Sequence, residues 1–132
     1  MPSLKLQVVT PERKIVDVEC DEVELPGELG YLGILPGHTP IIALLKIGVI
    51  SYKTGKSEAR LASGAGFMEV SNDVVTALCD FAELPSEIDS SASARAKAQA
   101  DEEMKSVGPE TFDEVSSRAA KAEAELSVAE RA

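Results

Sequence analysis

The residues with the most chemical potential in this chain are one histidine and two cysteines. His38 lies between Pro36 and Pro40, and Cys20 and Cys79 lie far apart in strand-like surroundings. A histidine that acts as a general base or binds a metal needs converging partners, and the sequence places none near His38. We therefore expect no catalytic residue, no metal site and no cofactor. We interpret His38 as a histidine of a turn or an interface, and the chain as a protein without enzymatic activity of its own.

The composition indicates where the protein is located and which kinds of partner it is not expected to bind. The formal net charge is −10, which argues against nucleic acid and anionic lipid as partners. Residues 1–10 alternate polar and apolar side chains instead of forming a signal peptide, and no apolar stretch approaches the ~18 residues of a membrane span. We expect a soluble intracellular protein with two free, buried thiols, the alternatives being a disulfide or a metal-bound pair.

Charged residues of the C-terminal third offer two further possibilities. Residues 101–103 (DEE) could bind a divalent cation, but consecutive helical residues do not share a face, so a solvated surface is expected. Arg118 and Lys121 could clasp an acidic partner. The ordinary alternative is that they pair within their own helix with Glu114 and Glu125.

Residues 22–48 (EVELPGELGYLGILPGHTPIIALLKIG) specify backbone shape more tightly than any other segment. They contain five glycines and three prolines among short apolar pieces. Gly27, Gly30, Gly33 and Gly37 can adopt positive φ, whereas each proline fixes its own φ. The apolar pieces are too short for helices, so the segment predicts short strands joined by tight turns.

The rest of the first 85 residues shows the same strand-and-turn pattern. Residues 4–9 alternate as a half-buried strand, and a change of parity near Asp21 indicates a break between two strands. Turn residues at 54–56 and 71–73 each separate two strand-like runs. About ten short strands of this kind predict an antiparallel β-sandwich or a flattened barrel over residues 1–85.

The composition changes at residue 85. Eight of the nine glycines and six of the seven prolines lie at or before it, and Ala, Glu, Ser and Lys dominate afterwards. These residues predict two helices over about 90–105 and 110–132, the first capped by Asp89 or Ser90. Gly108 suits the left-handed position that follows a helix end.

The apolar positions of the two helices fit an antiparallel hairpin over residues 86–132, which makes the fold class α+β. The expected contact positions are Ile88, Ala92, Ala96, Ala100 and Met104 in the first helix, and Phe112, Val115, Ala119, Ala122, Leu126 and Ala129 in the second. Alanine contacts bury little area, at about 25 cal/mol per Å² of apolar surface. We expect a weakly held hairpin that can detach, and a permanently docked hairpin is the alternative.

Several segments resemble the signatures of one protein family. Residues 30–40 read GYLGILPGHTP and are followed by LLKIG at 44–48, which resembles the signature of the epsilon subunits of F-type ATP synthases. GFMEV at 66–70, VVTALCDFAE at 74–83, VVTPER at 8–13 and LSVAE at 126–130 resemble further segments of the same family. The resemblance covers essentially the whole chain.

The resemblance implies a non-catalytic subunit of the central stalk. In this family the sandwich binds the gamma subunit along one face, and loops at one end contact the c-ring, so that the subunit couples ion flow to rotation in the catalytic head. Carried over to this chain, the c-ring contact falls on Glu28, Leu29, Gly30, Tyr31 and Leu32. The contact with gamma includes the corner at His38. Many relatives carry an acidic residue at the position of Tyr31, which leaves the chemistry of the ring contact open.

The hairpin of many relatives is regulatory. It extends into the alpha/beta catalytic head and blocks hydrolysis, or it folds around a bound ATP. Of the nucleotide motif, Ile88 and Asp89 are present, but Ala92 stands at the arginine position, so ATP sensing is kept only as the alternative function. Arg118 and Lys121 are the candidate contacts with the catalytic head. The second helix carries a formal charge of −3 over residues 110–132, so we expect weak inhibition at most.

The resemblance also implies a location. We expect a peripheral protein on the cytoplasmic face of a bacterial inner membrane, because no transit peptide opens the sequence. A plastid-encoded relative would lack a transit peptide as well.

Overall fold

The structure, a computed structural model, describes residues 3–130 and contains ten strands followed by two helices. The strands are β1 (Leu4–Val9), β2 (Lys14–Cys20), β3 (Glu22–Gly27), β4 (Gly30–Ile34), β5 (Ile41–Leu45), β6 (Gly48–Thr54), β7 (Ser57–Ser63), β8 (Gly66–Ser71), β9 (Val74–Cys79) and β10 (Ala82–Glu83). A 3-10 turn (Pro85–Glu87) leads to α1 (Ser90–Met104) and α2 (Phe112–Glu130). The predicted β-sandwich and helical hairpin are confirmed.

The strands form one ten-stranded sheet in the order β10-β7-β6-β3-β5-β8-β9-β1-β2, and β4, which is not part of this order, pairs with β3. Every pairing is antiparallel except that of β1 with β9, which is parallel and departs from the purely antiparallel prediction. The strand β1 can pair this way because about 65 residues separate it from β9, which is ample for a crossover.

The inward side chains form one core because each strand alternates between its two faces. In β1, for example, Leu4, Leu6 and Val8 are buried and the residues between them face outward. The predicted break at Asp21 separates β2 from β3. Further large, fully buried side chains of this core are Leu25, Ile34, Ile50, Leu61, Met68 and Val75.

The predicted turns are present, although two glycines differ from expectation. Gly55 has a φ of 62°, and Asn72 and Asp73 have φ values of 52° and 62°, as tight hairpin turns require. Of the four glycines in residues 22–48 that were expected to be able to adopt positive φ, only Gly30 and Gly37 do so. Gly27 is needed for space instead, since a Cβ there would lie 2.6 Å from the carbonyl oxygen of Gly30.

The first helix begins as predicted and ends differently. The Asp89 carboxylate accepts hydrogen bonds from the backbone N–H groups of Ser91 (3.1 Å) and Ala92 (3.2 Å), which confirms it as the N-cap. The prediction of a left-handed Gly108 is wrong. The C-cap residue Lys105 stays right-handed and its N–H bonds to the carbonyls of Glu102 and Glu103, so the last turn tightens and needs no left-handed residue.

The contact face of the hairpin differs from the prediction at two positions. Ala96 is exposed, whereas Ser93 is buried and its hydroxyl donates to Glu125 at 3.2 Å. Phe112 is exposed at the first residue of α2, and burial begins only at Val115. The second helix was expected to run almost to residue 132, and residues 131 and 132 lie outside the described part.

The hairpin is docked on the sandwich through small side chains. Ala124 and Val128 of α2 pack against Val49 of β6 and Ala62 of β7, with Ile88 at the margin. The helix α2 therefore lies between α1 and the sheet. The structure contains the docked form of the hairpin, and the apolar residues at this interface are mostly small.

Candidate protein-binding surfaces

An apolar strip crosses the outward face of three neighbouring strands. Ile42 and Leu44 of β5 are 70% and 61% exposed, and Phe67 of β8 and Leu78 of β9 are also exposed. The strand register aligns Leu44 with Phe67 and Phe67 with Leu78, so the side chains lie side by side on one face. These four residues are called the apolar face. Exposed and contiguous apolar side chains of this kind mark a protein-binding surface.

The apolar face was not identified from the sequence, although β5 carried a signal. Residues 41–45 (IIALL) are apolar at every position, whereas a strand with one solvated face should alternate. Ile41, Ala43 and Leu45 point to the core side, which leaves Ile42 and Leu44 for the other side. In an antiparallel sheet, an unbroken apolar strand such as β5 indicates that both faces of the strand are covered, one by the core and the other by a binding partner.

The loop predicted to contact the c-ring lies beside this face. Glu28 and Leu29 connect β3 to β4, whose first residues are Gly30, Tyr31 and Leu32, and the side chain of Leu29 is fully exposed at the tip. The N–H of Glu28 donates to the carbonyl of Leu44 at 2.9 Å, so the loop is fixed to the end of β5. A groove of about 440 Å³ lies between them, lined by residues 27–32 and 41–44. The groove joins the predicted ring loop to the apolar face.

Tyr31 is fixed to the sandwich by its hydroxyl. The Tyr31 oxygen accepts a hydrogen bond from the backbone N–H of Val49 at 3.2 Å, and it lies 3.0 Å from where a Cβ on Gly48 would be. The side chain therefore lies back over the start of β6, with half of its surface exposed. What Tyr31 presents outward is mainly the apolar ring.

His38 lies at the opposite end of β5 from this loop. Its Nδ1 donates to the carbonyl of Thr39 at 2.6 Å, and the neighbouring Gly37 N–H donates to the Asp73 carboxylate at 2.7 Å. The second contact ties the corner to the turn between β8 and β9. The strand β5 thus has the His38 corner at one end, the ring loop at the other and exposed apolar side chains between them.

A second cleft, of about 470 Å³, lies between the hairpin and the sandwich, and we call it the hairpin cleft. It contains Asp89, one of the two residues carried over from the nucleotide motif; Ile88 instead packs against the interface of Val49 and Val128. The ionisable residues that line the cleft are Glu83, Glu87, Asp89, Arg118, Lys121 and Glu125. Four carboxyl groups against two cations make it acidic, which is unfavourable for a triphosphate.

The two cations of the cleft already have partners, but not the predicted ones. Arg118 donates to both carboxylate oxygens of Glu103 in α1, at 2.8 and 3.0 Å, instead of pairing with Glu114 in its own helix. This pairing lowers the pKa of Glu103. Lys121 lies with its Nζ 4.6 Å from the centre of the Phe81 ring and forms no salt bridge with Glu125. The intrahelical alternative is wrong because the neighbouring elements offer closer partners.

The remaining candidate groups are structural. Cys20 and Cys79 are buried and free, as expected, and burial raises the pKa of the Cys79 thiol to about 11. Within residues 3–130 no three acidic, histidine or cysteine side chains converge as a metal site would require. In the same part of the chain, neither helix has the length and hydropathy needed to cross a bilayer.

The fold and its surfaces define a protein that acts by binding other proteins. The comparisons with known proteins agree with this class. Residues 3–85 match the family model of the β-sandwich domain of the ATP synthase delta/epsilon chain. The chain therefore belongs to the delta/epsilon family of ATP synthase subunits, as a non-catalytic component of the central stalk.

Curated relatives and solved structures extend the match beyond the sandwich. The chain is 43% identical over 107 residues to the ATP synthase epsilon chain of Geotalea daltonii, covering 81% of this chain and 78% of that one. It is 42% identical over 108 residues to that of Koribacter versatilis, covering 82% and 76%. A chain in the Euglena gracilis mitochondrial ATP synthase (OSCP/F1/c-ring) has the same fold, with a TM-score of 0.83 at 20% identity, covering 98% of this chain and 82% of that one.

Proposed function

We propose that this subunit couples ion-driven rotation of a c-ring to ATP synthesis by joining the ring to the gamma subunit of a central stalk. The observation that carries the proposal is the continuity of the apolar face with the loop at the end of β5. A subunit that transmits torque has to hold two partners at once, and one rigid strand links the two proposed contact regions.

The apolar face is the proposed contact with gamma. Ile42 and Leu44 of β5 are the most exposed residues of this face, and Phe67 and Leu78 extend the same face across β8 and β9. Covering such side chains stabilises a complex by about 25 cal/mol per Å² of apolar surface. The His38 corner borders β5 and is proposed to lie at the edge of the same contact.

The loop of residues 28–32 is the proposed contact with the c-ring. Leu29 projects fully from its tip, and Glu28 adds one exposed negative charge. Because the hydroxyl of Tyr31 is engaged by Val49, Tyr31 would contribute apolar area to the ring contact in place of the charge that many relatives carry. Leu32 packs towards the core and supports the loop.

For the hairpin we propose at most weak regulation of hydrolysis through the alpha/beta catalytic head. Arg118, one of the two candidate contacts, would have to leave Glu103 before it could pair with an acidic partner. Arg131, counted in the charge of the second helix, lies outside the described residues. The alternative function, a nucleotide sensor, is disfavoured by the four carboxyl groups of the hairpin cleft.

The proposed location is the cytoplasmic face of a bacterial inner membrane, as a peripheral part of the complex. The support for it is the bacterial origin of the relatives in Geotalea daltonii and Koribacter versatilis.

A binding measurement with the gamma subunit tests the proposal. In the full chain, Leu44→Asp places a charge in the centre of the apolar face, and we expect affinity for gamma to fall about 30-fold or more, which is roughly 2 kcal/mol. Phe112→Asp is the matched control, because it puts the same charge on an exposed aromatic of the hairpin. If wild type and Leu44→Asp bind gamma with equal affinity, the apolar face is not the contact with gamma, and another face of the subunit must bind it.

A further inference from the structure

Two carboxyl groups meet at the junction between the sandwich and the hairpin. Glu83 is the last residue of β10, Glu125 belongs to α2, and both line the hairpin cleft. Burial is the first cause that raises the pKa of the Glu83 carboxyl, and a side-chain hydrogen bond with Glu125 and the charge of Glu125 raise it further. Two carboxyl groups can share such a bond only when one of them carries a proton. Neither residue belongs to the proposed contacts with gamma or the c-ring.

The surroundings of the two carboxyl groups favour the protonated form of Glu83. Oε1 of Glu83 is shielded from solvent and has no hydrogen-bond donor within residues 3–130. Oε1 of Glu125 accepts from the hydroxyl of Ser93 in α1 at 3.2 Å. Ionised Glu83 would therefore leave a buried negative oxygen without a partner beside a second carboxylate, whereas protonated Glu83 can donate to Glu125.

Charged groups from several neighbouring elements face this pair or contact its surroundings. They are Lys121 and Arg118 of α2, Glu103 of α1, Asp89 at the N-cap of α1, Glu87 of the 3-10 turn, and Arg13 of the turn between β1 and β2. Arg118 is held by Glu103, and Arg13 by both oxygens of Glu87 at 2.7 Å. Of the groups that act on Glu83, only Lys121 favours its ionised form.

We propose that Glu83 and Glu125 form a proton-dependent latch, which holds the hairpin on the sandwich at low pH and weakens as pH rises. The latch joins β10 of the sandwich to α2, and the hydroxyl of Ser93 connects Glu125 of the pair to α1. Its chemistry is a single proton held between two carboxyl groups. No ligand or partner is required for it to act.

The direction of the effect follows from the two states of Glu83. In the docked form, burial together with Glu125 raises the pKa of Glu83 to about 7, whereas a solvated glutamate has its ordinary value of 4.5. Below the ordinary value Glu83 is protonated in both states, and the contribution of the latch to docking is complete. Between the two values the docked form must take up a proton, so this contribution declines, and it is lost above the docked pKa.

Amide hydrogen exchange of the full-length chain tests the latch. After correction for the intrinsic rate, we expect the protection of the α2 amides around Val128 to fall about tenfold between about pH 6 and pH 8. In Glu83→Gln the side-chain amide donates to Glu125 at every pH, so this fall should disappear. Glu123→Gln is the matched control, because Glu123 is exposed on the same helix, and it should behave as wild type.

Two results would overturn the latch. If the amides of β8 lose protection together with those of α2 in the wild type, the pH dependence belongs to global unfolding instead of to hairpin docking. The second result needs no variant. Carboxyl-carbon NMR of the wild-type chain should show Glu83 titrating near pH 7, and a pKa of Glu83 at its ordinary value of 4.5 would contradict the proposed protonation.

Discussion

The guanidinium group of Arg60 in β7 donates to two atoms of Ser127 in α2, the backbone carbonyl at 3.1 Å and the side-chain hydroxyl at 3.2 Å. These residues are 67 positions apart. The contact lies near the C-terminal end of α2, where the helix dipole favours a cation. It adds a directional contact to an interface whose apolar part consists of small side chains.

Removing this contact should loosen the hairpin without unfolding the sandwich. We expect Arg60→Ala to reduce the free energy of docking by about 1–2 kcal/mol, because a charge-assisted pair of hydrogen bonds is lost. Amide exchange of α2 measures the effect, with the β8 amides as an internal reference. Lys56→Ala, in an exposed turn of the same sheet, is the control. An unchanged α2 in Arg60→Ala would show that packing alone holds the hairpin.

The hydroxyl of Tyr31 should stabilise the sandwich. Tyr31→Phe leaves the N–H of Val49 without its acceptor, so we expect a loss of about 1 kcal/mol in the free energy of unfolding. Urea denaturation measures it. Tyr52→Phe is the control, since the Tyr52 hydroxyl makes no hydrogen bond within residues 3–130. If Tyr31→Phe and Tyr52→Phe lower the free energy of unfolding by the same amount, the Tyr31–Val49 hydrogen bond does not contribute the expected stability.

The thiols should be inert while the chain is folded. Burial raises the pKa of both cysteines, that of Cys79 to about 11, so little thiolate forms at neutral pH. We expect alkylation at about pH 8 to modify Cys20 and Cys79 only after denaturant is added, as measured by mass spectrometry. Rapid modification of the native protein at either residue would contradict the burial described above.

The hairpin should have little effect on ATP hydrolysis. With the cognate catalytic head, we expect the full chain and a chain ending at Ser86 to support similar hydrolysis rates, because the hairpin is acidic and Arg118 is engaged by Glu103. Both chains should bind gamma to the same extent, which controls for loss of assembly. A rise of several-fold on truncation would show that the hairpin inhibits despite its charge.

Local patterns were enough to predict the elements and the family. Alternation marked the strands, the change of parity marked the break at Asp21, and Gly55 and Asn72 marked tight turns. The N-cap at Asp89 was predictable because its acceptors lie two and three residues away. Such features depend on neighbours in the chain, so a single sequence specifies them.

The surfaces were decided by tertiary structure. Ile42 and Leu44 could not be assigned to solvent until the strand order placed no layer over them, and the sequence alone could not exclude burial on both sides. The partner of Arg118 depended on how the two helices align, because Glu103 and Glu114 are both within reach of a long side chain.

The sequence by itself therefore determined the strands, the helices, the N-cap of α1 and the family to which the chain belongs. Only the tertiary structure brought Arg60 to Ser127 and Tyr31 to Val49. The physical reason is that these pairs are joined by hydrogen bonds between elements far apart in the chain. Such bonds require distances of about 3 Å and defined angles, and the packing of the whole sheet and hairpin sets both.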